Sequence, residues 1–250
     1  MKFGNSQGNT KVKCYQVVEA ILYRLKTGCQ WRQLPMKQFF SEKYGWAGVY
    51  HHFRKWSKDG SWEKVWCLLL EKYKHLLDMS SVQLDGTHTP TKQGGEAVGY
   101  QVRKKGKTSN MLILTDSQGI PIACSEPMAG NHNDAYELEK NVGKMLNKIQ
   151  SSNISTDGLF LNADAGFDTE DFRKFCYKND IFDNIDMNTR NGQENDHIFD
   201  ELLYKCRFVI ERTNAWLDAF KALLVRFETN QVHRKALNLL AFCVILLRQL

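Results

Sequence analysis

The sequence lacks the cysteine spacing of a structural zinc site. Its seven cysteines are scattered, and no two of them are separated by only two residues. Most are flanked by apolar or helical residues, which is typical of small buried side chains in a reducing compartment. No basic segment followed by an apolar core and a cleavage site opens the chain, so we expect no secretory signal. These absences favour a cytoplasmic protein.

No apolar run in the sequence is long enough to predict a membrane span. The densest run covers residues 236–247 and contains Asn238, whereas a spanning helix needs about 20 apolar residues. We interpret this run as a buried helix and expect no membrane partner. The hydrophobic fraction of 42% and the charged fraction of 25% instead indicate an ordinary globular protein.

Positive charge is concentrated in the first third of the chain. The net charge is +6, and residues 1–80 hold 14 Lys and Arg against 6 Asp and Glu, whereas residues 81–250 hold 20 against 22. A basic N-terminal third followed by a slightly acidic remainder favours contact with nucleic acid through the N-terminal third. The alternative is a solvated basic surface, and charge alone does not decide between the two.

Residues 1–78 predict a small all-helical domain. Apolar positions recur at helical spacing over 17–25, 46–56 and 62–73. Short helices joined by tight turns are typical of a DNA-binding helix-turn-helix domain. The polar face of the middle helix would then contact DNA, although an ordinary wet helix face is the alternative. The residues predicted to make this contact are His51, His52, Arg54, Lys55 and Lys58.

Residues 79–250 predict a mixed sheet flanked by helices. The strands are expected over 80–88, 111–115, 119–124, 158–163 and 181–185, and the helices over 133–149, 168–179, 201–227 and 232–250. Three strands followed by alternating helices and strands is the order of a ribonuclease-H-like fold. The segment between the first two strands is basic and contains Arg103, Lys104, Lys105 and Lys107.

Three acidic residues lie in settings typical of a divalent-metal site. Asp85 and Asp164 each end a short apolar run of strand type, and Glu211 lies inside a long helical pattern. Carboxylates at strand ends, facing one on a helix, are suitable ligands for hard divalent cations. Two such ions, about 3.5–4 Å apart, cleave and join phosphodiesters. The sequence therefore predicts a site that cuts nucleic acid, although it does not prove that the three residues meet.

The predicted helix around Glu211 has one continuous polar stripe. Tyr204 and Arg207 precede Glu211 on this stripe and are suited to position a phosphate beside a metal site. The alternative is a solvated face with an Arg207–Glu211 pair worth only a few tenths of a kcal/mol. The opposite face of this helix contains the apolar residues Phe208, Leu217, Phe220 and Leu224.

Several blocks along the chain resemble the motifs of one family, the DDE transposases of bacterial insertion sequences of family-five type. Leu84-Asp85-Gly86-Thr87 and residues 162–168 resemble its first two catalytic blocks, and the spacing from Tyr204 through Arg207 to Glu211 resembles the third. Residues 28–35 and 49–56 resemble its N-terminal module, and residues 130–134 resemble a further conserved segment. The resemblance covers almost the whole chain.

The resemblance implies cleavage and strand transfer of DNA at transposon terminal inverted repeats. Asp85, Asp164 and Glu211 would be catalytic and would hold two Mg²⁺ or Mn²⁺ ions. A homodimer on DNA is expected because two ends must be held together, and the protein would associate with the bacterial nucleoid. The further DNA contacts that the resemblance implies are Arg103, Lys104, Lys105, Lys107, Arg190, Tyr204 and Arg207.

Two departures from the family pattern leave alternatives open. Asp218 stands seven residues after Glu211, where the family often has Lys, and Lys221 follows one turn later. The segment before Lys11 is also shorter than in the family, which predicts a trimmed copy or a late start. The alternatives are a catalytically impaired, N-terminally shortened regulator that binds DNA, and a related metal-dependent nuclease that cuts without strand transfer.

Overall fold

The computed structural model describes residues 12–187 and 199–249. Within these ranges one seven-stranded sheet forms the centre of the protein. The predicted mixed sheet is therefore confirmed, with two short strands, β2 and β5, that the sequence does not indicate. The strands are β1 (Val82–Pro90), β2 (Gly99–Gln101), β3 (Gly106–Thr115), β4 (Pro121–Cys124), β5 (Met128–Ala129), β6 (Leu159–Ala163) and β7 (Ile181–Ile185).

The strand order matches the ribonuclease-H-like arrangement. The sheet runs β2-β3-β1-β6-β7, with β4 and β5 pairing with β3. β1 is antiparallel to β3 and parallel to β6, and β6 is parallel to β7. Helices α5 (Leu138–Ser151) and α6 (Glu170–Lys178) make the crossovers that parallel neighbours require. The predicted fold class is confirmed.

Four helices precede the sheet. They are α1 (Cys14–Thr27), α2 (Met36–Phe39), α3 (Trp46–Lys58) and α4 (Ser61–Tyr73). α1 ends at Gly28, whose left-handed φ of 68° lets its N–H bond to the Arg24 carbonyl at 2.8 Å. The three longer helices cover the segments that the apolar spacing predicts.

A long C-terminal helix, α10 (Gln231–Leu247), joins these N-terminal helices to the rest of the core. It is buried on almost every side, as the apolar sequence predicts. The Trp66 ring on α4 lies 5.7 Å from the Phe242 ring, and the Phe53 ring on α3 lies 5.7 Å from the His233 ring. The apolar face of α3 is therefore packed inward, and its basic face is turned outward. The boundary between two domains near residue 78 stays a prediction.

The segment predicted as one helix over 201–227 is interrupted. It consists of α7 (Glu201–Lys205), a 3-10 turn (Cys206–Phe208), α8 (Val209–Asp218) and α9 (Lys221–Leu224). Phe220 has an extended backbone, with φ −96° and ψ 97°, and its side chain is buried. The predicted helix is therefore interrupted at Phe220. Phe208, on the apolar face of the predicted helix, is 78% exposed.

The first crossover helix also starts later than predicted. α5 begins at Leu138 instead of Asn133, and the preceding Glu137 has a left-handed φ of 47°. Asp134 is therefore not a helix cap, and its side chain is directed toward the sheet instead. None of the helices in the described ranges combines the length and the apolar character needed to cross a membrane.

Candidate active site

The sheet register places the two aspartates side by side. β1 and β6 run parallel, and Leu84 stands opposite Ala163, so Asp85 and Asp164 follow at the same level. β6 ends there, whereas β1 continues to Pro90. Asp85 is half-buried and Asp164 is exposed. Both carboxylates therefore lie at the carboxyl end of β6.

The helix that contains Glu211 is docked over the same end of β1. The Thr87 hydroxyl bonds to Asn214 Oδ1 at 3.2 Å, and the Thr213 hydroxyl donates to the Gly119 carbonyl in the turn before β4. Thr87 follows Asp85 by two residues, so both side chains project from the same face of the strand. Asn214 lies about one turn after Glu211. α8 therefore covers the face of β1 to which Asp85 belongs.

The electrostatics of Asp85 indicate a concentration of negative charge. Burial raises the pKa of the Asp85 carboxyl, and the charges of Asp134 and Glu211 raise it further. A hydrogen bond from the Gly86 N–H and the positive charge of Arg207 oppose this shift. Asp85 is therefore within electrostatic reach of Glu211. A bound cation would offset the repulsion among these carboxylates.

Tyr204 and Arg207 lie on the segment that leads to Glu211, and Tyr204 is within electrostatic reach of Asp164. The Arg207 guanidinium stacks over the Tyr204 ring, 5.4 Å from its centroid. Burial raises the pKa of Tyr204, with Arg207 opposing this effect and Asp164 adding to it. No ion pair joins Arg207 to Glu211 among the described residues. The guanidinium is thus not engaged by the carboxylate four residues away.

The three carboxylates fit a divalent cation in their chemistry but are not already gathered around one position. Across residues 12–187 and 199–249, no three His, Cys, Asp or Glu side chains are close enough together to ligate one ion. Carboxylate oxygens are nevertheless the ligands that Mg²⁺ and Mn²⁺ prefer. Joint ligation would require the exposed Asp164 and Glu211 side chains to turn toward Asp85. At present Asp164 Oδ1 accepts a hydrogen bond from the Gly166 N–H at 3.4 Å.

A second polar cluster supports β1 from behind. Asp134 Oδ1 accepts a hydrogen bond from Asn110 Nδ2 at 2.7 Å and lies 3.7 Å from His88 Nε2. His88 lowers the pKa of Asp134, and the bond from Asn110 lowers it further, although burial opposes both. The carboxylate lies directly against Gly86, the residue after Asp85. Apolar spacing could not indicate this cluster, because its members come from three separate segments.

The close approach of Asp134 makes Gly86 a sensitive position. In Gly86→Ala the new Cβ would fall inside van der Waals distance of the Asp134 carboxylate. We expect a loss of about 1–3 kcal/mol in the free energy of unfolding, because the Asp134 carboxylate must leave its contacts with Asn110 and His88 or the backbone must shift. Urea denaturation would measure the loss. Gly94→Ala is the control, since its Cβ would meet nothing within 4 Å, and equal stability of the two variants would contradict the prediction.

The basic residues predicted to bind DNA lie on two surfaces. On α3, His51, Arg54, Lys55 and Lys58 are exposed. His52 is half-buried against the Trp56 ring, at 5.1 Å, and burial lowers its pKa. The second surface is the β2–β3 hairpin, where Arg103, Lys104, Lys105 and Lys107 are exposed. Arg190 lies outside the described residues, and DNA contact at all of these positions stays a prediction.

Two family models match the chain in succession. Residues 2–66 match the family described as “Putative transposase of IS4/5 family (DUF4096)”. Residues 84–248 match the DDE superfamily endonuclease family, and this range contains Asp85, Asp164 and Glu211. The chain belongs to the DDE superfamily endonucleases. The resemblance to a DDE transposase of an insertion sequence is thereby confirmed.

Comparison with other proteins adds little to this family assignment. No curated protein sequence matches this DDE endonuclease. Among solved structures, it is similar to the Mos1 transposase paired-end complex with left transposon end, at 12% identity and a TM-score of 0.34, over 99% of this chain and 82% of that one. The Mos1 strand transfer complex gives 13% identity and a TM-score of 0.33, over 98% and 81%. Such TM-scores are too low to establish a shared fold by themselves.

Proposed function

We propose that this DDE endonuclease is a transposase that cuts DNA at the terminal inverted repeats of its element and joins the freed ends to target DNA. The observation that supports the proposal most strongly is the sheet register that sets Asp85 beside Asp164, with the Glu211 helix docked above them. These residues lie inside the matched endonuclease region.

Asp85, Asp164 and Glu211 would hold the divalent ions, Mg²⁺ or Mn²⁺. Bound there, such ions activate a water or a DNA 3′-hydroxyl and stabilise the leaving oxygen. The half-buried Asp85 would provide a fixed ligand, and the exposed side chains of Asp164 and Glu211 would rotate toward the ions from backbone positions that the fold sets. Arg207, held over the Tyr204 ring, is placed to bind a phosphate next to the scissile bond.

Two basic surfaces would hold the DNA. The outward face of α3 would contact the inverted repeat, since its apolar side is packed against α10 and its charged side faces solvent. The exposed hairpin from Arg103 to Lys107 would follow the phosphate backbone near the carboxylates. Because two transposon ends must be joined in one event, we propose that the protein acts as a homodimer on DNA.

A cleavage assay tests this function. Purified protein would be incubated with a labelled duplex that ends in the inverted repeat flanking its own coding region, with Mg²⁺ or with EDTA. We expect nicking at the repeat end only with Mg²⁺, and joining to a target plasmid. Nicking without joining would indicate the related nuclease. Specific binding without nicking, in Mg²⁺ and in Mn²⁺, would indicate the shortened regulator instead.

A further inference from the structure

Three buried amide side chains form a hydrogen-bonded ladder across neighbouring parallel strands. Gln83, Asn162 and Asn184 stand at one level in the register of β1, β6 and β7, and each is 2% exposed or less. Asn162 Nδ2 donates to Gln83 Oε1 at 2.9 Å, and Asn184 Nδ2 donates to Asn162 Oδ1 at 2.8 Å. Buried parallel strands are normally apolar throughout, so this row of amides requires an explanation.

The ladder also makes hydrogen bonds with the backbone at the start of α7. Asn162 Nδ2 donates to the Leu203 carbonyl at 3.1 Å. Asn184 Nδ2 donates to the Asp200 carbonyl at 3.0 Å, and Asn184 Oδ1 accepts from the Asp200 N–H at 2.8 Å. The Asp200 carboxylate in turn caps α7 by accepting the Leu202 and Leu203 N–H groups, both at 2.9 Å. The first turn of α7 is thus attached directly to the sheet.

The position of the ladder relates it to the candidate active site. Gln83 precedes Asp85 by two residues, and Asn162 precedes Asp164 by two. Because side chains alternate along a strand, each amide shares a sheet face with its aspartate. The ladder therefore lies on the same face of the sheet as the two carboxylates, one side-chain position earlier along each strand.

The same ladder fixes one end of the segment that contains Glu211. Leu203 lies about two turns before Glu211 along α7, the 3-10 turn and α8. At the other end, Asn214 is bonded to Thr87 on β1. Glu211 is therefore located between two polar attachments to the sheet, and the ladder provides the one nearer to Asp164.

The energetics favour a role in geometry over a role in stability. A hydrogen bond in a folded protein contributes only about 1 kcal/mol net, and well-packed apolar side chains stabilise a core equally well or better. A buried polar network instead requires one arrangement in which every donor meets its acceptor. Metal ligands must be held to within about 0.5 Å, which is the accuracy that such a network provides.

We propose that the Gln83–Asn162–Asn184 ladder positions Glu211, by fixing the distance between its carboxylate and those of Asp85 and Asp164. The proposal rests on the proposed function, because it assigns the three carboxylates to one metal site. The amides themselves do not touch the metal or the DNA. They act through the path from the ladder to α7 and along the helix to Glu211.

Asn162→Leu is the most direct variant, because Leu has nearly the shape of Asn and makes none of its hydrogen bonds. It leaves Gln83 and Asn184 without their ladder partner, so folding must be checked by circular dichroism and thermal melting. A second variant replaces all three amides by Leu and removes both partners of each bond within the ladder, which is closer to neutral for stability. The control is Asn238→Leu, a buried amide on α10 whose Nδ2 donates to the Arg234 carbonyl.

Two quantities would be measured for each variant. The first is the Mn²⁺ concentration that gives half-maximal binding, detected by electron paramagnetic resonance. The second is the rate of DNA cleavage. We expect Asn162→Leu and the triple variant to raise the Mn²⁺ midpoint about tenfold to hundredfold, as changes to groups behind metal ligands do. The cleavage rate at low metal should fall by a similar factor and recover at saturating Mn²⁺. Asn238→Leu should match the wild type in both readouts.

A double-mutant cycle with Glu211→Gln distinguishes positioning from a general structural effect. If the ladder acts through Glu211, Asn162→Leu should raise the Mn²⁺ midpoint much less in the Glu211→Gln background than in the wild type. Equal effects in both backgrounds, or wild-type midpoints in folded ladder variants, would overturn the proposal. A wild type that neither binds Mn²⁺ nor cleaves DNA would reject the proposed function, and the positioning role with it. A cleaving wild type with unaffected ladder variants would reject the positioning role alone.

Discussion

Asp164→Asn is expected to lower the rate of DNA cleavage by about three orders of magnitude without weakening DNA binding. The loss of one ligand to a catalytic metal removes several kcal/mol of transition-state stabilisation, and about 1.4 kcal/mol corresponds to a factor of ten in rate. Asp164 is exposed, and the hydrogen bond that its carboxylate accepts from the Gly166 N–H can be accepted equally by the amide oxygen of Asn. The fold should therefore be unchanged.

Asp157→Asn is the matched control for this substitution. Asp157 lies just before the opposite end of β6, is exposed, and makes a hydrogen bond with Ser155 that an amide oxygen preserves. Single-turnover cleavage of a labelled repeat end would be measured for both variants, with binding measured by fluorescence anisotropy. Cleavage by Asp164→Asn at the rate of Asp157→Asn would remove Asp164 from the active site.

The second large effect is expected on DNA binding through α3. In the double variant Arg54→Gln/Lys58→Gln, each lost phosphate contact should weaken binding by about tenfold, since hydrogen bonds to charged groups contribute about 1.5–3 kcal/mol. The slope of log affinity against log salt should fall by about 2, close to one unit for each contact. Both side chains are exposed on α3, so the fold should not change.

A double variant on the neighbouring helix provides the control. Lys64→Gln/Lys72→Gln on α4 removes the same net charge from exposed positions. Titrations of a fluorescent repeat end at several salt concentrations would compare the two pairs. If the α4 pair weakens binding as much as the α3 pair, only the overall charge of the N-terminal region matters. The prediction that α3 is the recognition surface would then be wrong.

Much of the fold could be predicted because local pattern and tertiary structure agree there. The apolar run before Asp164 is a strand, β6, that ends immediately before it, and the densest apolar stretch is the buried helix α10. The turn around Asp116 follows from its residue types, since Asp116 Oδ1 accepts the Gln118 and Ile120 N–H groups at 3.0 and 2.7 Å. In these places the structure is determined by residues that are close together in the sequence.

The features that could not be predicted depend on contacts between distant segments. Asn133 and Asp134 have the chemistry of a helix cap, but the contact of Asp134 with Asn110 and Gly86 overrides that local preference. The interruption at Phe220, where the backbone is extended, is likewise not revealed by the helical spacing of the apolar residues. For the ladder of buried amides, the sequence offers one indication, because Asn162 is a polar residue within an apolar strand. Its partners in the ladder become evident only from the register of three strands.

The most direct test of the account is a crystal structure of the protein with Mn²⁺ and a transposon end, with the metal located by anomalous scattering. The account predicts an anomalous peak within about 2.5 Å of carboxylate oxygens from Asp85, Asp164 and Glu211, a distance typical of oxygen ligands to divalent ions. It would be contradicted by metal-loaded crystals in which the manganese peaks lie away from these residues, or in which Glu211 remains turned from Asp85 while the ion is bound elsewhere.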